Sequence, residues 1–318
     1  MKSKHLISIV GATAIGKTTL SIKLAKHFKT EIISSDSRQF YREMNIGTAV
    51  PTGEELKQVK HHFIQNRSIF EDYNVGEFER DALLVLDQLF IKHDVVVMVG
   101  GSGLYVDAVL EGLDNFPEVD PEIRPRLKLE LEENGIKPLQ DRLKILDIEA
   151  YHKIDIENNQ RLIRALEICL GTGKAFSSYL NIKNNDRNFI PIKIGITADR
   201  EFIYDRINKR VDIMMQDGLL DEAKKLYINR DLNSLQTVGY KELFEYLDNK
   251  LTLNEAVSEI KKNTRRFAKR QGTWFRKDKE IEWFEYPVEF DNVTDYVNAL
   301  LVKNLPSAQA GTNKELNA

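Results

Sequence analysis

The chain has 318 residues, of which 42% are hydrophobic, and it carries a formal net charge of -3. This composition excludes an intrinsically disordered chain, and the single cysteine, Cys169, excludes a disulfide framework or a multi-cysteine zinc module. No apolar run is long enough to span a membrane and no signal-peptide pattern begins the chain, so we expect a cytoplasmic protein without a membrane partner. We expect Cys169, at an apolar helix position, to be a core residue.

The first predicted strand covers residues 6–10, and an amphipathic helix is predicted over 20–28. Between them the sequence reads GATAIGKT, which is a complete G-x-x-x-x-G-K-[ST] phosphate loop in the required strand–loop–helix context. Its backbone N–H groups and the lysine hold phosphate oxygens, and the threonine hydroxyl can hold Mg²⁺. The sequence therefore predicts a site for a di- or triphosphate, and a chance glycine-rich turn is the weaker alternative. The predicted diphosphate-binding residues are Gly11, Ala12, Thr13, Ala14, Ile15, Gly16, Lys17 and Thr18, with Thr18 the metal ligand.

A second strand is predicted over 31–34, and Asp36 follows its carboxyl end. Ligands bind at that edge of open α/β sheets, so this carboxylate could accept a proton from an attacking nucleophile. An Asp that caps the next helix is an equally good interpretation of the position alone.

A helix over 81–92 and a buried strand over 95–99 come next, followed by Gly100, Gly101, Ser102 and Gly103. A nucleotide hydrolase usually carries an aspartate after such a strand to help hold Mg²⁺. Glycine in its place argues against hydrolysis and lets a ligand or backbone come close. A tight strand-to-helix turn would look the same.

The pattern changes near residue 115, where helices are predicted over 122–134, 139–145 and 159–170 before a strand over 190–196. Alternation of strands and helices predicts an α/β fold, a P-loop NTPase-like parallel sheet flanked by helices, with a mostly helical insertion domain. We assign 1–114 and 190–303 to the catalytic core, 115–189 to the insertion, and 304–318 to a disordered tail.

The last third of the chain concentrates positive charge. Arg206 and Arg210 are spaced i,i+4 on a predicted helix that Asp199 could cap, so they share a face that could clamp a diphosphate. Thr252 and Glu255 form a capping box at the start of a long helix, whose apolar positions include Phe267. Residues 261–279 carry a net charge of +8 with interleaved aromatic residues, a composition suited to RNA. Solvated basic helix faces are the alternative for both groups.

Six segments in this order resemble the tRNA dimethylallyltransferase family, also called tRNA isopentenyltransferases. They span about 270 residues and read GATAIGKT (11–18), IISSDSRQFYREMNIGTA (32–49), VGGSGLY (99–105), NNQRLIRALEICLGTGK (158–174), LQTVGYKE (235–242) and TRRFAKRQGTWFR (264–276). A bacterial-type enzyme is indicated, since the zinc finger that eukaryotic relatives often add would need more than one cysteine.

The resemblance implies transfer of a dimethylallyl group from dimethylallyl diphosphate to the N6 amine of the adenine 3′ of the anticodon, in tRNAs that read codons beginning with U. It implies Mg²⁺ as cofactor, no nucleotide cofactor, and the tRNA anticodon stem-loop as partner of a protein that we expect to be a monomer. An adenylate isopentenyltransferase acting on free AMP, ADP or ATP is the nearest alternative. A P-loop nucleotide kinase or NTPase and a non-catalytic RNA-binding protein are further ones.

The resemblance also implies roles for individual residues. Asp36 is the expected base, with Ser102, Lys17, Arg206 and Arg210 completing the catalytic set, in which Ser102 stands where the family commonly has threonine. Which of the two arginines contacts the diphosphate stays open. The expected tRNA-binding residues are Asp36, Ser37, Arg38, Gln39, Ser102, Arg124, Gln160, Arg161, Leu162, Ile163, Arg164, Gly239, Tyr240, Lys241, Arg265, Arg266, Lys269 and Arg270.

Overall fold

The computed structural model describes residues 3–182 and 186–303. The chain divides into two compact units, one formed by residues up to Leu110 and from Arg187 onward, the other by Glu111–Asp186. Our sequence-based boundaries were 115 and 189. The tail predicted over 304–318 lies outside the described residues.

The first unit is built on a six-stranded sheet in the order β3-β2-β4-β1-β5-β6, and every pairing in it is parallel. The strands are β1 His5–Gly11, β2 Ile32–Ser34, β3 His61–His62, β4 Val95–Val99, β5 Ile190–Thr197 and β6 Glu282–Glu285. The predicted parallel α/β sheet is confirmed. Because the strands are parallel, β1, β2 and β4 all end at one edge of the sheet, where the loops that follow them lie.

Helices flank this sheet. Those of the first unit are α1 Lys17–His27, α2 Gly53–Gln58, α3 Val75–Lys92, α4 Gly103–Glu111, α9 Arg200–Gln216, α10 Leu219–Leu226, α11 Tyr240–Leu247, α12 Leu253–Phe275 and α13 Phe290–Lys303. Successive side chains of β1 alternate between the two sheet faces, so Leu6 packs in one apolar core with Phe78 of α3, and Ile7 packs in another with Leu24 of α1. No helix formed by the described residues is long and apolar enough to cross a bilayer.

The second unit is helical and has its own core. It contains α5 Ile123–Asn134, α6 Lys137–Leu146, α7 Ile148–Lys153 and α8 Asn159–Thr172. Leu162, Ile163 and Cys169 of α8 are buried in that core with Leu139 and Leu143 of α6. The prediction that Cys169 is a core residue is therefore confirmed.

Helix α12 is the longest helix of the first unit. The predicted capping box is present, since Glu255 N–H donates to Thr252 Oγ1 and Thr252 N–H donates to Glu255 Oε2. Of the aromatic residues that interleave with the basic ones on this helix, Phe267 is 38% exposed, whereas Phe275 is buried. Phe267 is seven residues after Ile260 and so lies on the same side of the helix, but there it lines a cavity with Ile260 and Thr264. The buried positions of that side are Ala256, Ile260, Ala268, Gln271 and Phe275.

Candidate active site

The predicted phosphate loop lies between β1 and α1, at the middle of the sheet. Two of its glycines have positive φ angles, +144° at Gly11 and +106° at Gly16. A Cβ on Gly11 would lie 2.6 Å from the carbonyl oxygen of Ile196 on β5. Both the backbone conformation and the close neighbouring strand therefore require glycine at position 11.

Lys17 is held inside this loop. Its Nζ donates to the carbonyl oxygens of Gly11 at 3.0 Å and Ala12 at 2.8 Å. Burial lowers the pKa of Lys17 to about 8; the negative charge of Asp36 opposes that shift and the positive charge of Arg210 adds to it. The ammonium group is therefore held at a cost in solvation that an anionic ligand would offset.

The two arginines of α9 reach the same loop but make different contacts. Arg206 donates through Nε to the carbonyl oxygen of Ala14 at 2.7 Å and through a terminal nitrogen to the Tyr286 hydroxyl at 3.2 Å. Arg210 makes a longer hydrogen bond, 3.4 Å, to Thr13 Oγ1. Burial and the neighbouring Arg206 lower the pKa of Arg210. Arg206 therefore supports the loop backbone, whereas Arg210 keeps more of its donors for a ligand.

Two adjoining cavities meet at Asp36. The larger, about 550 Å³, is lined by phosphate-loop residues 13–19 and by both arginines, and we call it the loop cavity. The smaller, about 230 Å³, is lined by Ser102, Thr264 and Phe267 among others, and we call it the adjacent cavity. Residues lining both cavities are Thr13, Asp36, Thr48, Ala49, Arg210 and Met214.

Asp36 is fixed by its neighbours. Its Oδ1 accepts the N–H of Arg38 at 3.0 Å, an Asx turn rather than a helix cap. Ser102 joins this turn to the loop after β4, because its Oγ accepts the Ser37 N–H at 3.0 Å and bonds the Ser37 hydroxyl at 3.1 Å. This turn places Asp36 in the lining of both cavities.

The glycines after β4 make room for the protein's own side chains. A Cβ would meet Ser35 Oγ at 2.1 Å from Gly100, Gln271 Nε2 at 2.3 Å from Gly101, and Trp274 Cδ1 at 2.3 Å from Gly103. The close approach predicted from the sequence is thus made by Ser35, directly after β2, and by side chains of α12. Trp274 also donates through Nε1 to Asp107 at 2.9 Å.

Sequence reasoning missed Glu222, Gln271 and Tyr286, which shape the site from a distance along the chain. The Glu222 carboxylate accepts three successive backbone N–H groups, from Asn45 at 3.1 Å, Ile46 at 2.9 Å and Gly47 at 2.9 Å. It also accepts the Tyr240 hydroxyl at 2.6 Å. No local pattern marks Glu222, since it lies in an ordinary amphipathic helix and acts on a loop about 175 residues away in sequence.

The chain was compared with known proteins. A family model described as IPP transferase matches residues 39–278, three quarters of the sequence. The chain belongs to the IPP transferase family. It is 62% identical over 297 residues to a tRNA dimethylallyltransferase of Christiangramia forsetii, covering 93% of this chain and 98% of that protein. A tRNA dimethylallyltransferase of Flavobacterium johnsoniae is 56% identical over 311 residues, covering 96% and 99%.

Solved structures agree with this IPP transferase assignment. A full-length tRNA isopentenylpyrophosphate transferase from Bacillus halodurans superposes with a TM-score of 0.71 at 40% identity, covering 95% of this chain and 98% of that one. A eukaryotic dimethylallyltransferase described as acting on tRNA gives 0.78 at 25% identity, covering 97% and 82%. These relatives are prenyl-transferring enzymes, and so is this member of the family.

The positions expected to contact tRNA differ in how far they are exposed in this IPP transferase. Lys241, Arg266, Lys269 and Arg270 in the first unit and Gln160 and Arg161 in the second are exposed. Leu162, Ile163 and Tyr240 are at most 1% exposed. For these three a direct side-chain contact with tRNA is ruled out, because each side chain fills a core. Gly239 is also buried, and its N–H donates to Glu242 at 2.8 Å.

Several of the expected cations already have partners. Arg124 donates two hydrogen bonds to Glu167, at 3.0 and 2.7 Å, and Arg164 donates another at 2.8 Å. Glu167 is buried, which raises its pKa, but these arginines outweigh burial and lower it. Arg265 donates to Asn208 at 2.7 Å. The Gln39 amide supports the carbonyls of residues 48 and 49.

Proposed function

We propose that this chain transfers a dimethylallyl group from dimethylallyl diphosphate to the N6 amine of the adenine 3′ of the anticodon, in tRNAs that read codons beginning with U. The observation that carries the proposal is the position of Asp36, on the boundary between the loop cavity and the adjacent cavity. A carboxylate there can serve a reaction whose two substrates come from opposite sides.

The loop cavity suits the diphosphate. Its lining combines the phosphate loop with Lys17 and Arg210, two buried cations whose pKa values are lowered by burial. Cleavage of the allylic carbon–oxygen bond leaves negative charge on diphosphate, so positive charge fixed around that group stabilises the transition state. Arg206 contributes through the loop backbone that it supports.

The adjacent cavity suits the base. Phe267 is the exposed aromatic side chain in its lining and offers a face on which a base can stack. An adenine in the anticodon loop must leave its stack to reach Asp36. As the new nitrogen–carbon bond forms and diphosphate departs, the proton lost from N6 passes to the Asp36 carboxylate. Ser102 keeps the turn that carries Asp36 in place.

The residues present fit a magnesium ion that arrives with its substrate. Thr18 lines the loop cavity beside Lys17, and within residues 3–182 and 186–303 no cluster of three His, Cys, Asp or Glu side chains is placed to hold a metal alone. Magnesium is commonly bound through substrate phosphates and few protein ligands. When bound at Thr18, it would supply positive charge to the leaving group.

A tRNA acceptor is favoured over free AMP, ADP or ATP. The relatives named above are tRNA enzymes matched over more than nine tenths of this chain, and exposed cations lie on α12. Since residues of one chain line both cavities, we propose that the protein acts as a monomer, in the cytoplasm where its tRNA is. The helical unit 111–186 would contact the anticodon stem-loop through residues such as Arg161.

The proposal is tested with Asp36→Asn, which removes the charge but keeps the oxygen that accepts the Arg38 N–H. We expect prenyl transfer to tRNA to fall by about 10²–10⁴-fold, since a general base contributes on that order, while tRNA affinity stays within about threefold. Radiolabelled dimethylallyl diphosphate is offered with tRNA and, separately, with AMP. Full activity in this variant would refute the base, and label on AMP alone would refute the tRNA acceptor.

A further inference from the structure

Gln271 is a buried polar side chain in the middle of α12. It is 6% exposed and lies on the same side of the helix as Ala268 and Phe275, where apolar residues otherwise pack. A buried carboxamide is costly unless its hydrogen bonds are made. Its partners therefore show what it is for.

Both ends of this carboxamide bind backbone, in two different loops. Its Oε1 accepts the N–H of Thr13 in the phosphate loop at 2.8 Å, and its Nε2 donates to the carbonyl oxygen of Gly101 at 2.8 Å. An N–H can only donate and a carbonyl can only accept, so the partners fix the orientation of the amide. Gln271 thus ties the loop after β1 to the loop after β4, the strand paired with β1.

The other contacts of the phosphate loop do not duplicate this one. Lys17 and Arg206 bind loop carbonyl oxygens, at Gly11, Ala12 and Ala14. Among residues 3–182 and 186–303, Gln271 is the side chain that accepts a hydrogen bond from a loop N–H group. Such groups are the donors that a phosphate loop presents to its ligand. Glycine at position 101 is required for the contact, because a Cβ there would lie 2.3 Å from Nε2.

We propose that Gln271 is a positioning residue that holds the phosphate loop and the Gly101 turn at the spacing needed to grip the diphosphate. The inference rests on the proposed function, and it assigns Gln271 no contact with either substrate. The affinity for dimethylallyl diphosphate depends on the two hydrogen bonds of the Gln271 amide, to the Thr13 N–H and to the Gly101 carbonyl oxygen. The affinity for tRNA does not depend on them.

The test compares Gln271→Met, which removes both hydrogen bonds, with Gln271→Glu, which keeps the shape but cannot donate to Gly101 when ionised. Thr273→Val is the matched control, since Thr273 is exposed on the same helix and its hydroxyl donates to the carbonyl oxygen of Lys269, one turn earlier. We expect the KM for dimethylallyl diphosphate to rise about tenfold or more in Gln271→Met, with the KM for tRNA within twofold of the unmodified protein. The control should match the unmodified protein in both.

A pH series separates positioning from simple loss of stability. A protonated glutamic acid can accept from Thr13 and donate to Gly101, as the amide does. Burial at this position should raise the pKa of the introduced carboxyl above its usual value. The ratio of the Gln271→Glu KM to the unmodified KM should therefore fall as the pH is lowered from 8 to 5.5, while the Gln271→Met ratio stays constant. If Gln271→Met does not fold, the isosteric Gln271→Glu carries the test.

Two results overturn the inference. One is an unchanged KM for dimethylallyl diphosphate in a folded Gln271→Met variant, and the other is a ratio of the Gln271→Glu KM to the unmodified KM that does not change with pH. Failure of the unmodified protein to bind dimethylallyl diphosphate by calorimetry would instead refute the proposed function. The two failures are distinguishable, because the first requires the unmodified protein to bind.

Discussion

Residues four apart on α9 have separate tasks although they share a helix face. Arg206 donates hydrogen bonds to the Ala14 carbonyl oxygen and to the Tyr286 hydroxyl. Its guanidinium carbon lies 5.0 Å from the centroid of the Tyr286 ring. Arg210 lines both cavities and makes a weaker contact with Thr13. Helix spacing does not distinguish the two arginines, and on these contacts we propose that Arg210 binds the diphosphate.

Arg210→Gln should therefore raise the Kd for dimethylallyl diphosphate by about 10²-fold, because a buried charge-assisted bond to the ligand is lost. Arg206→Gln should raise it by about tenfold, through the loop backbone. Calorimetric titration measures both. Lys209→Gln, an exposed position on the same helix paired with Asp205, is the control and should change nothing. The reverse ranking of the two arginines would contradict the assignment.

Lys17 gives the diphosphate site a pH dependence. Its pKa lies at about 8, against 10.5 for a free lysine side chain, because it is buried. Below pH 8 the ammonium group is present and ligand binding takes up no proton; above pH 8 the proton must be supplied on binding, so affinity falls by about tenfold per pH unit. Titrations without added divalent metal, in buffers of different ionisation enthalpy, measure the protons taken up on binding. The difference between the unmodified protein and Lys17→Met, which cancels the ionisation of the ligand itself, should be close to one proton at pH 9 and almost none at pH 6.5.

Helix α12 is the element on which the site depends most. It contacts the phosphate loop through Gln271, packs Trp274 against Gly103, and presents Phe267 to the adjacent cavity. Its exposed side carries Arg266, Lys269 and Arg270. One helix therefore combines the expected tRNA-facing charge with contacts to both loops.

Two glycines, one that contacts α12 and one within it, should change the free energy of unfolding in opposite directions when replaced by alanine. Gly103→Ala places a methyl group 2.3 Å from the Trp274 ring, so we expect a loss of about 1–3 kcal/mol in the free energy of unfolding. Gly272→Ala has nothing within 4 Å of its new Cβ and lies inside the helix, so we expect a gain of about 0.5–1 kcal/mol. Urea unfolding measures both. A neutral Gly103→Ala would mean that the Trp274 ring moves aside without cost.

The elements that the sequence predicted well are those with a local cause. Strand β4 is an unbroken apolar run, and β1 is mostly apolar, interrupted by Ser8. The phosphate loop has a fixed spacing, and the α12 cap needs only Thr252 and Glu255. Strand β6 was not predicted from the sequence, because Glu282–Glu285 is short and half-exposed and its residues do not alternate between apolar and polar. Helix α13, which follows it, was not predicted either. The roles of Gln271 and Glu222 could not be predicted for a different reason. Their hydrogen-bond partners are 258 and about 175 residues away, so no local stretch of sequence contains both partners.

At the scale of the whole chain, the two units have separate cores, and every residue lining the loop cavity belongs to the first. Leu166→Ala, in the core of the second unit, should lower the stability of that unit by about 2–5 kcal/mol. We expect tRNA affinity to fall while the Kd for dimethylallyl diphosphate stays unchanged, as measured by calorimetry. Leu170→Ala, on the same helix but 43% exposed, is the control. Weaker dimethylallyl diphosphate binding in Leu166→Ala would show that the units are not independent in this respect.

The bond between Thr13 and Gln271 has a consequence for how the protein is made. Residues 11–18 leave the ribosome early, with the whole phosphate-loop motif in place. Their supports are synthesised much later: Arg206, Arg210 and Gln271 follow the loop residues that they contact by 192, 197 and 258 residues. A nascent or truncated chain that stops before residue 271 carries the motif without the contacts that shape it. The full affinity for diphosphate should thus appear only after Gln271 has been synthesised and has reached the Thr13 N–H.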